Sequence, residues 1–241
     1  MPKAVLFDLD NTLILYEEQK FLQVYFASLA GAFSDIIPPD SLPERVLMST
    51  IALSSNDGTL SNADYFMNTF LDPGSDRVAV WNRFLEFYHN EYRSLLPEVR
   101  IPEGIETLLQ KLRDRNIKIV LATNPIYPRA AYAHRLTWAG LTLGDFDVIT
   151  DIQNSHFVKP NAGYFTAIAE SLSLPASSCL MVGNDPVYDV AAKAVGMQTY
   201  LTEDAREADY ILPGIPTSDP TFEPDHAGPL SDLVASGILA G

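Results

Sequence analysis

The sequence predicts a doubly wound parallel α/β sheet with an α-helical segment inserted after its first strand. Short, mostly apolar runs, at Ala4–Phe7, Ile117–Ala122, Phe146–Ile149, Cys179–Val182 and Gln198–Leu201, alternate with stretches of helical periodicity. Runs without an apolar–polar alternation belong to strands covered on both faces. The alternation is interrupted once, between residues 16 and 96, by aromatic-rich helical patterns that contain no buried-strand run.

The first run, Ala4-Val5-Leu6-Phe7, stops abruptly at Asp8-Leu9-Asp10. It predicts a strand that delivers two carboxylates at its carboxyl end, where open α/β sheets place their chemistry. Strand side chains alternate faces, so Asp8 and Asp10 should point the same way while Leu9 returns to the core. Two like charges that close need a cation or a shared proton. An acidic strand-end turn explains the same residues, and on this stretch alone the two readings stand level.

Helical spacing follows in Phe21, Val24, Tyr25 and Leu29, in Val46, Leu47 and Ile51, in Tyr65, Phe66 and Phe70, and over residues 78–88. Pro38-Pro39, Asn56-Asp57-Gly58 and Asp72-Pro73-Gly74 separate them. Residues 16–96 are therefore expected to form a small bundle with its own core, leaving 1–15 and 97–241 as the sheet domain. Pro102 opens a helix to about Leu112, and the strand at 117–122 ends in Thr123-Asn124-Pro125. A helix over 128–139, the strand at 146–149 and an irregular loop lead to Lys159-Pro160. A helix over 163–172 precedes the strand at 179–182, which ends in Gly183-Asn184-Asp185. A helix over 187–195, the strand at 198–201 and an edge strand at Tyr210–Leu212 complete the sheet. Residues 213–229, rich in Pro, Asp and Gly, are expected as an extended surface segment, and Leu230–Leu239 as a short docking helix.

A chain of 241 residues with 47% hydrophobic and 20% charged residues can bury a substantial core. Its net charge of −15 opposes nucleic acid and anionic membranes as partners. A small phosphorylated substrate responds instead to the local field, which one divalent metal and one lysine reverse. The single cysteine, Cys179, lies in an apolar run, excludes an internal disulfide and fits a reducing cytoplasm. No apolar run is long enough to span a membrane, and Asp8 comes too early for a signal peptide, so a cytoplasmic protein is expected. The four histidines are scattered without ligand spacing.

Asp8-Leu9-Asp10-Asn11-Thr12-Leu13 closely resembles the DxDxT motif of the haloacid dehalogenase-like (HAD) hydrolase superfamily, most of whose members are phosphatases. Three further motifs follow in the superfamily's order: Leu121-Ala122-Thr123-Asn124, Lys159-Pro160, and Gly183-Asn184-Asp185 with Asp189. Taken alone, Thr123 reads better as a helix cap and Lys159-Pro160 as a surface turn; order and strand-end placement give them weight. Many relatives place an acid directly after the glycine, where this chain has Asn184.

The resemblance implies a Rossmann-like HAD core and a Mg2+-dependent phosphatase acting through an aspartyl-phosphate. Asp8 would be the nucleophile and Asp10 the general acid and base. Thr123, Asn124 and Lys159 would hold the phosphoryl group. Asp8, the Asp10 backbone carbonyl and Asp185 would hold the metal, with Asn184 or Asp189 adjusting its shell. Residues 16–96 sit where the superfamily carries a helical cap. A phosphoglucomutase uses the same core, and a phosphonate hydrolase would need a cap lysine, for which only Lys20 is present. A non-catalytic binding or regulatory protein on this fold is the alternative of a different class.

Overall fold

The computed structural model describes residues 1–205 and 221–239. Among the described residues six parallel strands form one sheet: β1 (Ala4–Phe7), β2 (Lys118–Leu121), β3 (Val148–Ile149), β4 (Cys179–Gly183), β5 (Gln198–Thr202) and β6 (His226–Gly228). Their order is β3-β2-β1-β4-β5-β6, so the winding reverses between β1 and β4. In open α/β sheets the crevice beyond the carboxyl ends at this reversal is the usual binding position. β1 lies against β2 on one side (Phe7 opposite Leu121) and β4 on the other (Phe7 opposite Val182).

The absence of alternation in β1 has a direct structural cause. Val5 and Phe7 point into one apolar layer with Ile119, Leu121, Leu180 and Val182. Ala4 and Leu6 point into the opposite layer with Val120, Ala122, Cys179 and Met181. The first layer is closed by α5 (Ile105–Asp114), α6 (Arg129–Trp138) and α8 (Leu230–Ala235). The second is closed by α7 (Ala162–Ser171) and the 3-10 turn Val190–Val195. In α5, Ile105, Leu108, Leu109 and Leu112 are buried at the spacing of one helix face. That helix begins at Ile105 rather than at Pro102, because Gly104 adopts φ +88° and turns the chain into it.

Four helices lie between β1 and α5: α1 (Glu18–Ala32), α2 (Leu42–Ala52), α3 (Asn62–Phe70) and α4 (Arg77–His89). The Asp76 carboxylate caps α4 by accepting from the N–H groups of Val78 and Ala79, and Ser61 caps α3. Val24 and Val78, which fit the apolar periodicity, face outward. The chain enters and leaves this segment through one short antiparallel contact, with Leu15 and Arg100 exchanging N–H···O bonds of 2.9 and 2.8 Å.

The buried apolar residues of these helices pack on continuously into the sheet layer. Phe21, Tyr25, Phe33, Phe84 and Tyr92 belong to the same continuous buried cluster as Val5, Phe7 and Leu108. The aromatic side chains are long enough to bridge from the four helices to the sheet layer, which merges the two cores.

Two other expectations change at the carboxyl end. Among the described residues, β6 lies beside β5 in parallel, within the stretch expected as an extended surface segment. Tyr210–Leu212 lies outside the described residues. Residues 187–195 form a turn and a 3-10 segment instead of an α-helix.

Candidate active site

The motif residues converge at the β1–β4 reversal. Asp8 directly follows β1, and its N–H continues the ladder by donating to the Val182 carbonyl at 2.9 Å. Lys159 Nζ donates to Asp8 Oδ1 at 2.8 Å and to Asp189 Oδ1 at 2.6 Å, and its side chain is 1% exposed. Asn124 Oδ1 accepts from the Lys159 N–H at 3.1 Å, tying the end of β2 to the lysine loop. Thr123 is buried beside them. Its carbonyl accepts from the hydroxyls of Thr150 and Tyr164, each at 2.9 Å, which sets the backbone at the strand end.

The β4 end is built around a close approach. A Cβ on Gly183 would lie 2.1 Å from Asp189 Oδ2, so only glycine admits that carboxylate. Asp189 Oδ2 accepts from the Asp185 N–H at 3.0 Å while Oδ1 receives Lys159. Asp189, which could adjust a metal's shell, thus holds Lys159 through Oδ1 and the Asp185 N–H through Oδ2. Asp185 Oδ1 accepts from the N–H groups of Val187 and Tyr188 at 2.7 and 2.8 Å, leaving its second oxygen available. Asn184 Oδ1 accepts from the Thr12 hydroxyl at 3.1 Å and so links the β1 and β4 ends.

Asp10 has partners that sequence reasoning missed. Arg135 NH1 is ion-paired to Asp10 Oδ2, and the Tyr16 hydroxyl donates to Oδ1 at 2.8 Å. Arg135 also donates from Nε to the Tyr92 hydroxyl at 2.6 Å, and its guanidinium carbon lies 5.0 Å from the Phe21 ring centre and 4.7 Å from that of Tyr127. These rings sheathe the cation, which is 2% exposed. A signal was present, since Arg135 shares a helix face with Ala131, Tyr132 and Leu136, all buried. A charge on an apolar helix face demands a partner.

Glu18, in the first turn of α1, was also missed. Burial and then the Asp10 charge push its carboxyl up to about 8, opposed by Arg135. Asp8 is pushed up to about 7, first by burial, against the pull of Lys159 and with Asp189 and Asp10 adding to the rise. Burial also raises Asp185. Lys159 rises as well: burial opposes its charge, but Asp189 and Asp8 outweigh it. Around the strand ends the carboxylates of Asp8, Asp10, Glu18, Asp185 and Asp189 outnumber the cations Lys159 and Arg135, so the site is short of positive charge. Lys20, the only lysine of the helical segment, stands apart, 75% exposed and paired with Glu17.

Comparison with known proteins agrees with this arrangement. The family model described as haloacid dehalogenase-like hydrolase matches residues 2–196. The chain belongs to the haloacid dehalogenase-like hydrolases. Among curated HAD relatives, the ribulose-1,5-bisphosphate 5-phosphatase of Halopiger xanaduensis is 28% identical over 263 residues, covering 98% of this chain and 100% of the relative. The phosphoglycolate phosphatase of Rhodospirillum rubrum is 27% identical, covering 82% and 78%. A HAD phosphatase from Thermococcus onnurineus shares the fold with a TM-score of 0.57, at 21% identity and covering 99% and 98% of the two chains. This chain is therefore a HAD-like hydrolase whose curated relatives include phosphatases. No helix among the described residues is long and apolar enough to cross a membrane.

Proposed function

We propose that this protein is a Mg2+-dependent phosphatase of a small phosphorylated metabolite, with Asp8 as the nucleophile. The observation that carries this reading is the 2.8 Å bond from buried Lys159 to Asp8 Oδ1, at the sheet's topological reversal. Binding alone does not call for a buried ammonium on a carboxylate whose other neighbours are acids. Family membership and the printed activities of the relatives support the same class.

In the first step an Asp8 oxygen attacks phosphorus, an oxygen–phosphorus bond to Asp8 forms, and the bond to the leaving alcohol breaks. Asp10 gives the alcohol its proton. In the second step Asp10 takes a proton from water, which attacks the aspartyl-phosphate and releases inorganic phosphate, regenerating Asp8. Lys159, Thr123 and Asn124 hold the transferring group, whose equatorial oxygens carry the developing charge. Arg135 and Tyr16 hold both Asp10 oxygens, so one of these contacts must yield when the leaving group arrives.

The residues present fit a magnesium ion by donor chemistry. Asp8, the Asp10 carbonyl and the open oxygen of Asp185 are hard oxygen donors, and the excess of buried carboxylate favours a cation. When bound, Mg2+ offsets the charge repulsion between Asp8 and the phosphoryl oxygens. Residues 16–96 act in this reading as the cap that excludes water and selects the leaving group.

The test is phosphate release from an aryl phosphate with and without Mg2+, in the wild type and in Asp8→Asn. Loss of turnover by several orders of magnitude in the variant is expected, since an amide is a poor nucleophile. Near-wild-type release would overturn the assignment.

A further inference from the structure

A cavity of about 330 Å³ lies between α1, α2, α4 and the loop at Ile126–Pro128. Its size is that of a pocket for a small organic molecule. Leu22, Phe26, Trp81, Phe84 and Tyr127 dominate the walls, and no charged side chain lines it. Gln19, Gln23 and Thr50 supply polar edges, and the Tyr25 and Tyr88 hydroxyls bond to each other at 2.7 Å.

Two stretches of chain run from the strand-end residues toward the walls of this cavity. On α1, Glu18, Leu22 and Phe26 recur at intervals of four and share one helix face. Leu22 and Phe26, one and two turns beyond Glu18, line the cavity. In the sheet domain, Thr123 and Asn124 belong to the site, and Ile126, Tyr127 and Pro128 of the same loop line the cavity. The Tyr127 ring meets the Arg135 guanidinium, which in turn holds Asp10.

The cations of the helical segment are elsewhere. Lys20, Arg45, Arg77 and Arg83 are paired with Glu17, Asp72, Asp64 and Asp35, and Arg93 is exposed. None of the five lines the cavity. A second phosphate or a carboxylate on the leaving group would therefore enter an apolar space without a counter-ion, an arrangement that disfavours charge strongly.

Resting on the phosphatase reading above, we propose that this cavity receives an uncharged apolar leaving group. The substrate class is then a phosphate monoester of an aromatic or alkyl alcohol, cleaved by water to the free alcohol and inorganic phosphate, rather than a bisphosphate or a phosphorylated acid.

The experiment compares kcat/KM of the full chain with Mg2+ for benzyl phosphate, ethyl phosphate, a sugar bisphosphate and phosphoglycolate, alongside binding of 2-naphthol followed by its fluorescence. Benzyl phosphate is expected to exceed ethyl phosphate at least tenfold, mainly through KM, and to exceed both esters that carry a second anionic group. Leu22→Glu and Trp81→Ala are each expected to collapse the benzyl-to-ethyl ratio toward one and to weaken naphthol binding at least tenfold. Circular dichroism confirms that each variant is folded, and the more conservative Leu22→Gln serves if Leu22→Glu is not. Preference for the bisphosphate or phosphoglycolate overturns the apolar-pocket assignment while leaving the phosphatase reading intact. Absence of phosphate release from every ester overturns the phosphatase reading itself. Naphthol binding under that outcome would make the cavity a ligand site without a leaving-group role, which also overturns this proposal.

Discussion

Arg135 of α6 is ion-paired to Asp10 across 125 positions of sequence, and four aromatic rings wrap the guanidinium that makes the bond. The side chain therefore joins the strand-end acid to Tyr92 and Phe21 of the helical segment. Replacing Arg135 with Met removes one partner of a largely buried pair, and a loss of about 2–4 kcal/mol in urea unfolding is expected. Arg135→Lys keeps the charge but loses the fork geometry. On the proposed mechanism it is expected to slow alkyl phosphates more than aryl phosphates, because only the former need a well-placed proton donor. Equal slowing of both would show that Arg135 serves the fold alone.

Glu18 makes the stability of the metal-free protein depend on pH. Its carboxyl has an ordinary value of 4.5 when unfolded and about 8 in the folded protein, because burial and Asp10 favour the neutral form. A raised carboxyl contributes stability that is complete below the unfolded value and disappears as pH rises through the folded one. Glu18→Gln is therefore expected to match the wild type at pH 4 and to melt several degrees higher at pH 8.5, at about 2–4 °C per kcal/mol for a chain of this size. Thermal melts across that range with a chelator present decide it; a constant difference at all pH values would refute the assignment.

Gly183 is the site's tightest packing requirement. Gly183→Ala brings a methyl group onto the Asp189 carboxylate and is expected to displace the partner that holds Lys159. Activity is expected to fall at least tenfold, with a loss of stability of about 1–3 kcal/mol from overpacking. Adding Asp189→Ala should restore part of the stability by removing the clash while leaving activity low. That non-additive pattern is measurable in a double-mutant cycle.

Mg2+ is expected to stabilise the wild type by mass action on the folded state, by about 2.7 kcal/mol at one hundred times its dissociation constant, and so to raise its melting temperature. Asp185→Asn should abolish most of this rise without lowering the metal-free melting temperature, since an amide oxygen still accepts from Val187 and Tyr188. An undiminished Mg2+ response in the variant would remove Asp185 from the ligand set.

What was legible in the sequence is what strand ends and short-range chemistry encode. Ala4–Phe7 announced a two-sided strand because both faces are covered, and Asp8, Thr123, Lys159 and Asp185 each stand at a point where an apolar run or motif breaks. Arg135 and Glu18 were not found, since their meaning arises only when α6 and α1 are packed beside Asp10. β6 was missed for a related reason. Its His-Ala-Gly has little strand character, and the N–H and C=O groups of β5 supply the template that local propensity lacks. The role of Asp189 needed the close approach to Gly183, a contact that spacing alone does not reveal.

The position of β1 in the sheet has a consequence for how the chain reaches its fold. It is made first, yet Phe7 finds its neighbours only at Leu121 and Val182, more than a hundred residues later. During synthesis the stretch Ala4–Phe7 therefore waits, apolar on both faces and with both edges open, until β2 and β4 have been made. Native pairings of such sequence separation carry a large loop-closure cost and slow the search. The strand that ends at Asp8 is thus exposed to wrong association on the way to the native state. Because its core is shared with the aromatic helices, folding of strand and helices is expected to be one cooperative transition.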